Sequence, residues 1–213
     1  MSKHSNPERS KFQAFLGHYQ SFSSYLTFYY EAFQILMKDV EKGGGHVDRV
    51  AYPLLFLARH CLELGFKANI RYFTKYSHKN DYTSSDSHNL KNLFDAFKLH
   101  VHKTVRNLKS DHGIFVDSAD IKEFDQYCSE LDKLTSYFDQ VDRGSFSFRY
   151  PVDKMDQAVF KPQDTINLLD IQILLDKGMT LLNYTAAVFG KYTDYVDDIE
   201  QVYQQELRDS YGY

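Results

Sequence analysis

The sequence predicts an all-α protein, and three observations carry that prediction. Four prolines, Pro7, Pro53, Pro151 and Pro162, are spread over 213 residues, leaving long stretches free to run as helix. Apolar residues recur three and four apart and do not alternate strictly. Segments that would stop a helix, "EKGGGH", "SHKNDYTSSDS" and "NLKSDHG", fall between these periodic stretches.

Taken in order, a first helix rich in Phe and Tyr is expected from roughly Lys11 to Val40, with the glycines of "EKGGGH" as its stop. A second starts near Asp48, carries Pro53 in its first turns and reaches about Tyr76. A third opens with "HNLKNLF", where Asp86 or Ser87 can cap the free N–H groups. The fourth, "SADIKEFDQYCSELDKLTSYFDQV", takes Ser118 as N-cap and lines up Ile121, Phe124, Leu131, Leu134 and Phe138. A break of about twenty residues from Asp142 to Gln163 is longer than a connector needs and invites a functional explanation. From Asp164 to about Leu207 the pattern is helical and very apolar, "INLLDIQILL" then "MTLLNYTAAVFG", giving one long C-terminal helix or a pair divided at Gly178 or Gly190. Its Tyr-rich end is expected to fray into solvent.

A composition of 43% hydrophobic and 25% charged residues fits one domain over 1–213 with a real core. With 25 Lys and Arg against 29 Asp and Glu the net charge is −4, so a nucleic-acid partner would need a local basic groove. Cys61 and Cys128 have neither metal nor disulfide spacing and read as free thiols of a reducing cytoplasm. The opening "MSKHSNPERSKFQ" has no apolar signal core, and no stretch reaches the ~18 to 20 uncharged apolar residues of a membrane span, so no membrane partner is expected.

The second helix poses a question: within "YPLLFLARHCLELGFKANI" it carries Arg59, His60, Glu63 and Lys67. At about 100° per residue, Arg59, Glu63 and Lys67 stack at i, i+4 and i+8, with His60 on the neighbouring edge. Leu57, Cys61, Leu64 and Ala68 take the opposite side. On a surface helix the stripe would be a solvent-facing ladder worth ~0.3 to 0.5 kcal/mol per pair. On a central helix the charges must be paired and tend to line a cleft.

"RHCLELGFKANI", then "HNLKNLF", then "FRYPVD" resemble, in that order, the HEPN family of helical bundles, the higher eukaryotes and prokaryotes nucleotide-binding domains. The matching residues are Glu63 and Lys67 four apart, the His88-Asn89-Leu90 helix start, and Arg149-Tyr150-Pro151, spread over roughly residues 48–155. The resemblance implies an antiparallel helical bundle, a symmetric homodimer, and a polar cleft that binds RNA or a nucleotide, in a protein of toxin–antitoxin or phage-defence type. It places Arg59, Glu63, Lys67, Asn89 and Tyr150 at the ligand. His88 at a helix N-terminus and the planar fork of Arg149 suit an anion on physical grounds as well. Two structural alternatives stand beside this: His88 as a helix cap, and Arg149 clamping Glu63 in a buried pair.

Many HEPN proteins are metal-independent endoribonucleases marked by Arg, a polar residue and a His after four to six intervening residues. There the Arg steadies charge on the scissile phosphate and the His moves a ribose proton. No His follows Arg149 within seven residues, which favours a non-catalytic nucleotide- or partner-binding module, for example one paired with a nucleotidyltransferase. "RNLKSDH" fits the mark with Arg106 and His112, and Arg71 to His78 fits it less well. The candidate catalytic residues are therefore Arg149, His88, His60, Arg106 and His112. No metal or cofactor is expected: His100 and His102 point to different faces of a helix without a completing ligand, "GGGH" lacks the Lys-Ser/Thr of a phosphate loop, and no G-x-S-x-G occurs.

Overall fold

The chain is organised around its most buried helix. A computed structural model describes residues 7–43, 47–78, 88–142, 145–153 and 155–211. Its elements are a single turn, α1 (Pro7–Ser10), and five long helices: α2 (Phe22–Glu41), α3 (Val47–Ser77), α4 (Leu90–His112), α5 (Ser118–Val141) and α6 (Leu168–Tyr211). Among the described residues the one β-type pairing is an isolated bridge between Val152 and Ala158. None of the helices is long and apolar enough to cross a membrane.

Helix α3 contacts α2, α4 and α6, so between Leu54 and Ile70 only Phe56, Leu57, His60 and Ala68 keep partial exposure. Its neighbours present apolar residues at helical spacing: Leu26, Phe33 and Met37 on α2, and Leu90, Leu93, Phe94, Phe97 and Val101 on α4. Phe66 meets Phe94 and Phe97, and Phe124 bridges Phe97 to Phe189, joining α3 to α6 through rings packed at 5.4 to 5.9 Å. Close backbone approach requires glycine at two places. A Cβ on Gly65 would come within 2.5 Å of Leu182, and one on Gly178 within 2.7 Å of Leu131. Gly178 thus lets α5 approach α6, and α6 runs its 44 residues undivided at either glycine.

The bundle is not uniformly antiparallel. Arg59 reaches His88, Phe66 reaches Phe94 and Phe97, and the Tyr76 carbonyl accepts from Asn107, so α3 and α4 run in the same sense. Asn69 bonds the Leu182 carbonyl and Tyr76 bonds Asp197, so α6 runs with them too. Helix α5 opposes both α4 and α6, pairing Asp132 with Lys91, Asp125 with His102, Glu130 with Lys177 and Asp120 with Lys191. The parallel α3–α4 arrangement is sterically simple. Returning from Ser77 to the level of Arg59 covers ~27 Å at ~1.5 Å per residue, and residues 78–89 can span ~40 Å.

Several boundaries differ from the sequence expectation. The first long helix begins at Phe22, not near Lys11, because Ser21 caps it by accepting the Ser24 N–H at 3.0 Å. Phe12, Phe15, Leu16 and Tyr19 before it are exposed, so that stretch has no buried face to hold it helical. Asp117, not Ser118, caps α5 through the Ala119 N–H at 2.8 Å. The proposed caps Asp86 and Ser87 lie outside the described residues, as do 44–46 of "EKGGGH", and Asn89 caps α4 through the Asn92 N–H at 2.8 Å. "RNLKSDH" forms the last turns of α4, closed by Gly113 at φ +67°, and is not a turn between helices. Both cysteines are buried free thiols, pushed up to about 12 by burial.

Candidate functional site

The polar stripe of α3 closes on itself. Arg59 is 1% exposed, and its guanidinium is occupied on every side. Its Nη1 donates to Glu63 Oε2 at 3.1 Å, its Nη2 to the His88 carbonyl, and its Nε to the Asp142 carbonyl at 3.2 Å while pairing with Asp142 Oδ2 at 3.1 Å. Glu63 Oε1 accepts from Lys67 Nζ at 2.9 Å and faces His88 Nδ1 at 2.9 Å. Burial raises the Glu63 carboxyl, but the hydrogen bonds and charges of Lys67 and then His88 outweigh it, and its pKa ends below the usual value. Two buried cations, Arg59 and Lys67, thus meet two buried carboxylates, Glu63 and Asp142. The network is balanced within the protein and ties α3 to the start of α4 and the end of α5.

Asp142 is the member that sequence reading missed. It is the C-cap of α5 and 2% exposed. An acidic residue at a helix C-terminus opposes the dipole, which is the sequence signal that it has a partner elsewhere. Its Oδ1 also accepts the Phe146 and Ser147 N–H groups at 2.6 and 2.7 Å, so one carboxylate fixes both Arg59 and the start of the following loop.

That loop presents Arg149 outward. The alternative of a buried Arg149–Glu63 clamp does not hold: Arg149 is exposed, and Arg59, Lys67 and His88 take the Glu63 oxygens. Arg149 Nε donates to the Ser145 carbonyl at 2.5 Å, while its terminal nitrogens find no acceptor among the described residues. The guanidinium carbon lies 5.3 Å from the Phe146 ring, 5.8 Å from Tyr150 and 5.9 Å from Phe56. Phe56 also carries His60, stacked at 5.6 Å with 10° between the planes, and Tyr29 meets the imidazole edge-on at 4.5 Å. The His60 pKa is lowered, chiefly by burial and further by Arg59, Lys67 and Arg149 against the raising effect of Glu63. The imidazole is therefore neutral at pH 7, with no hydrogen-bond partner for its nitrogens among the described residues.

The remaining candidates are placed as follows. His88 keeps an exposed ring edge but sits two residues before α4, paired with Glu63 and not aimed at the free N–H groups of the helix. Asn89 is occupied as N-cap and through Asp139 Oδ1 at 2.9 Å. Tyr150 is 52% exposed beside Arg149. Arg106 and His112 lie near the other end of α4, Arg106 ~24 Å from its start, and six helical positions set them ~120° apart around the axis. Within one chain they do not face a common point. No group of three or more His, Cys, Asp or Glu suited to a metal occurs among the described residues. Compared with known protein families, curated proteins and solved structures, the chain finds no match in any of the three.

Proposed function

We propose that this chain is a HEPN-like module that holds an RNA or nucleotide phosphate at the surface formed by Arg149, Phe56 and His60. The observation that carries the reading is Arg149, an exposed guanidinium fixed at Nε whose terminal nitrogens find no acceptor among the described residues. A planar fork held in that way suits a phosphate, to which it can give two parallel hydrogen bonds. In this reading Arg59, Glu63, Lys67 and Asp142 are the frame beneath the site, since their two positive and two negative charges already cancel, and the symmetric homodimer and any nucleotidyltransferase partner belong to the same proposal.

Cleavage is the stronger form. Neutral His60 would take the 2′-hydroxyl proton, the 2′-oxygen would attack phosphorus, and the P–O5′ bond would break as the 5′-oxygen takes a proton from water. Arg149 would offset the charge gained at phosphorus, and the products would be a 2′,3′-cyclic phosphate and a 5′-hydroxyl. The non-catalytic form is favoured by a specific observation: the other imidazole of this region, His88, is held by Glu63.

The test is binding and cleavage of labelled single-stranded RNA in EDTA by the wild type, Arg149→Ala and His60→Gln. Arg149→Ala is expected to weaken binding about tenfold or more, as for loss of a charge-assisted contact of ~1.5 kcal/mol. If wild type cleaves and His60→Gln binds without cleaving, the chain is a ribonuclease. Folded wild type that binds no RNA or nucleotide at low salt would sink the proposal.

A further inference from the structure

Beside Arg149 the surface dips into a cavity of about 320 Å³, walled by Tyr52 from α3, Ser147, Arg149 and Tyr150 from the loop, and Phe160 from its return. The walls are held in place. Phe148 is buried and stacks on Phe160 at 5.8 Å and 15°, and Tyr52 leans on Phe160 at 5.8 Å. Asp153 accepts the Met155 and Gln157 N–H groups at 2.8 and 3.0 Å, and the Val152–Ala158 bridge closes the turn between. Together with the Asp142 bonds to Phe146 and Ser147, these contacts fix the loop from both ends.

On this fixed frame two aromatic rings remain half in water, Tyr52 at 48% and Tyr150 at 52% exposed. Other tyrosines of the chain are as exposed, Tyr195 and Tyr203 among them, but Tyr52 and Tyr150 line this cavity together. The ligand that fits is a flat π-surface joined to an anion, with the anion reaching Arg149. A volume near 300 Å³ lies at the small end of ligand sites and suits one base with its ribose. In a duplex the base faces are covered by their neighbours, so only an unpaired base can offer them.

We infer that this cradle is a stacking subsite for an unpaired nucleobase, making the ligand of the Arg149 site single-stranded RNA or a free nucleotide and not a duplex. The inference rests on the phosphate reading above and names its substrate class. Tyr52 and Tyr150 supply the stacking surfaces, and Arg149 supplies the phosphate contact.

The chain contains no tryptophan, so Tyr52→Trp introduces a lone indole that reports on stacking. Four probes are titrated: an eight-nucleotide single-stranded RNA, the same backbone with abasic residues, a blunt RNA duplex, and AMP. Quenching of the indole by the single-stranded RNA, with the abasic oligomer bound roughly 5- to 150-fold more weakly by the wild type, is the expected result. Tyr52→Ala should weaken the base-bearing oligomer by a similar factor and leave the abasic one unchanged, while Tyr52→Phe keeps full affinity and controls for folding. Saturable quenching by AMP alone at the oligomer's affinity would identify a mononucleotide as the source of the base. If base-bearing, abasic and duplex RNA bind equally while Arg149→Ala still weakens all three, the stacking subsite is overturned and the phosphate reading stands. If folded wild type binds none of the probes, the phosphate reading itself falls.

Discussion

Arg59 and Arg149 belong to one corner of the molecule and were both expected at the same cleft, yet they live in opposite environments. Arg59 is buried, with Glu63, Asp142 and the His88 carbonyl around it. Arg149 is exposed and held at Nε, and its terminal nitrogens have no acceptor among the described residues. Asp142 links the two, since its carboxylate pairs with Arg59 and caps the loop that carries Arg149. The contrast teaches that a buried arginine with neutralising partners serves architecture, whereas one with unspent donors on a fixed loop is available to a ligand.

Arg59→Ala is the most severe test of this difference. It leaves Glu63 and Asp142 buried without their shared cation, and the expected loss is ~3 to 5 kcal/mol, read from the midpoint of urea unfolding. A loss below ~1 kcal/mol would mean the network is not structural. Arg149→Ala should do the reverse, changing stability by no more than ~0.5 kcal/mol while weakening RNA about tenfold.

Acidification separates the layers more gently. The folded pKa of His60 lies below its ordinary 6.5 and that of Glu63 below its ordinary 4.5. For both groups the unfolded chain binds protons first, so their contributions are complete above those ordinary values and are lost as pH falls through the folded ones. Stability should therefore decline below pH 6.5 and again below 4.5, and His60→Gln should remove the upper step alone in a series of thermal melts. The smallest effects are expected far from this corner. Lys75→Ala breaks an exposed pair with Asp197 and should cost at most ~1 kcal/mol. Arg106→Ala should leave RNA binding unaltered, and a large loss there would move the site to the far end of α4.

Much of the fold was legible because it depends on periodicity. The run from Leu54 to Ile70 carries apolar residues on nearly every side, and it is the central helix. The Arg59–Glu63–Lys67 stripe followed from helical geometry, and its pairing followed from the cost of burying a charge. Periodicity is silent on direction, however, and the sense of α4 relative to α3 depends on where the chain between them returns. It is equally silent on partners distant in sequence, which is why Asp142 escaped notice as the second carboxylate on Arg59. Local hydrogen bonding misplaced other details: Ser21 sets the start of α2, and Asp117 displaces Ser118 as a cap. Within the candidate site, Arg149 and His60 were named from residue type, whereas nothing in residue type or spacing marks Phe56 as the ring they share.

The span of the Arg59 contacts also has a kinetic meaning. Its bond to Glu63 closes within one helical turn, but those to His88 and Asp142 bridge 29 and 83 residues. Contacts of such separation are made after local helices and early hydrophobic pairs have formed, since chain closure has to come first. A conservative change such as Arg59→Lys is therefore expected to accelerate unfolding while leaving the refolding limb of a chevron nearly in place. The charge network then acts as a latch that closes last, and it sets how long the native corner survives once formed.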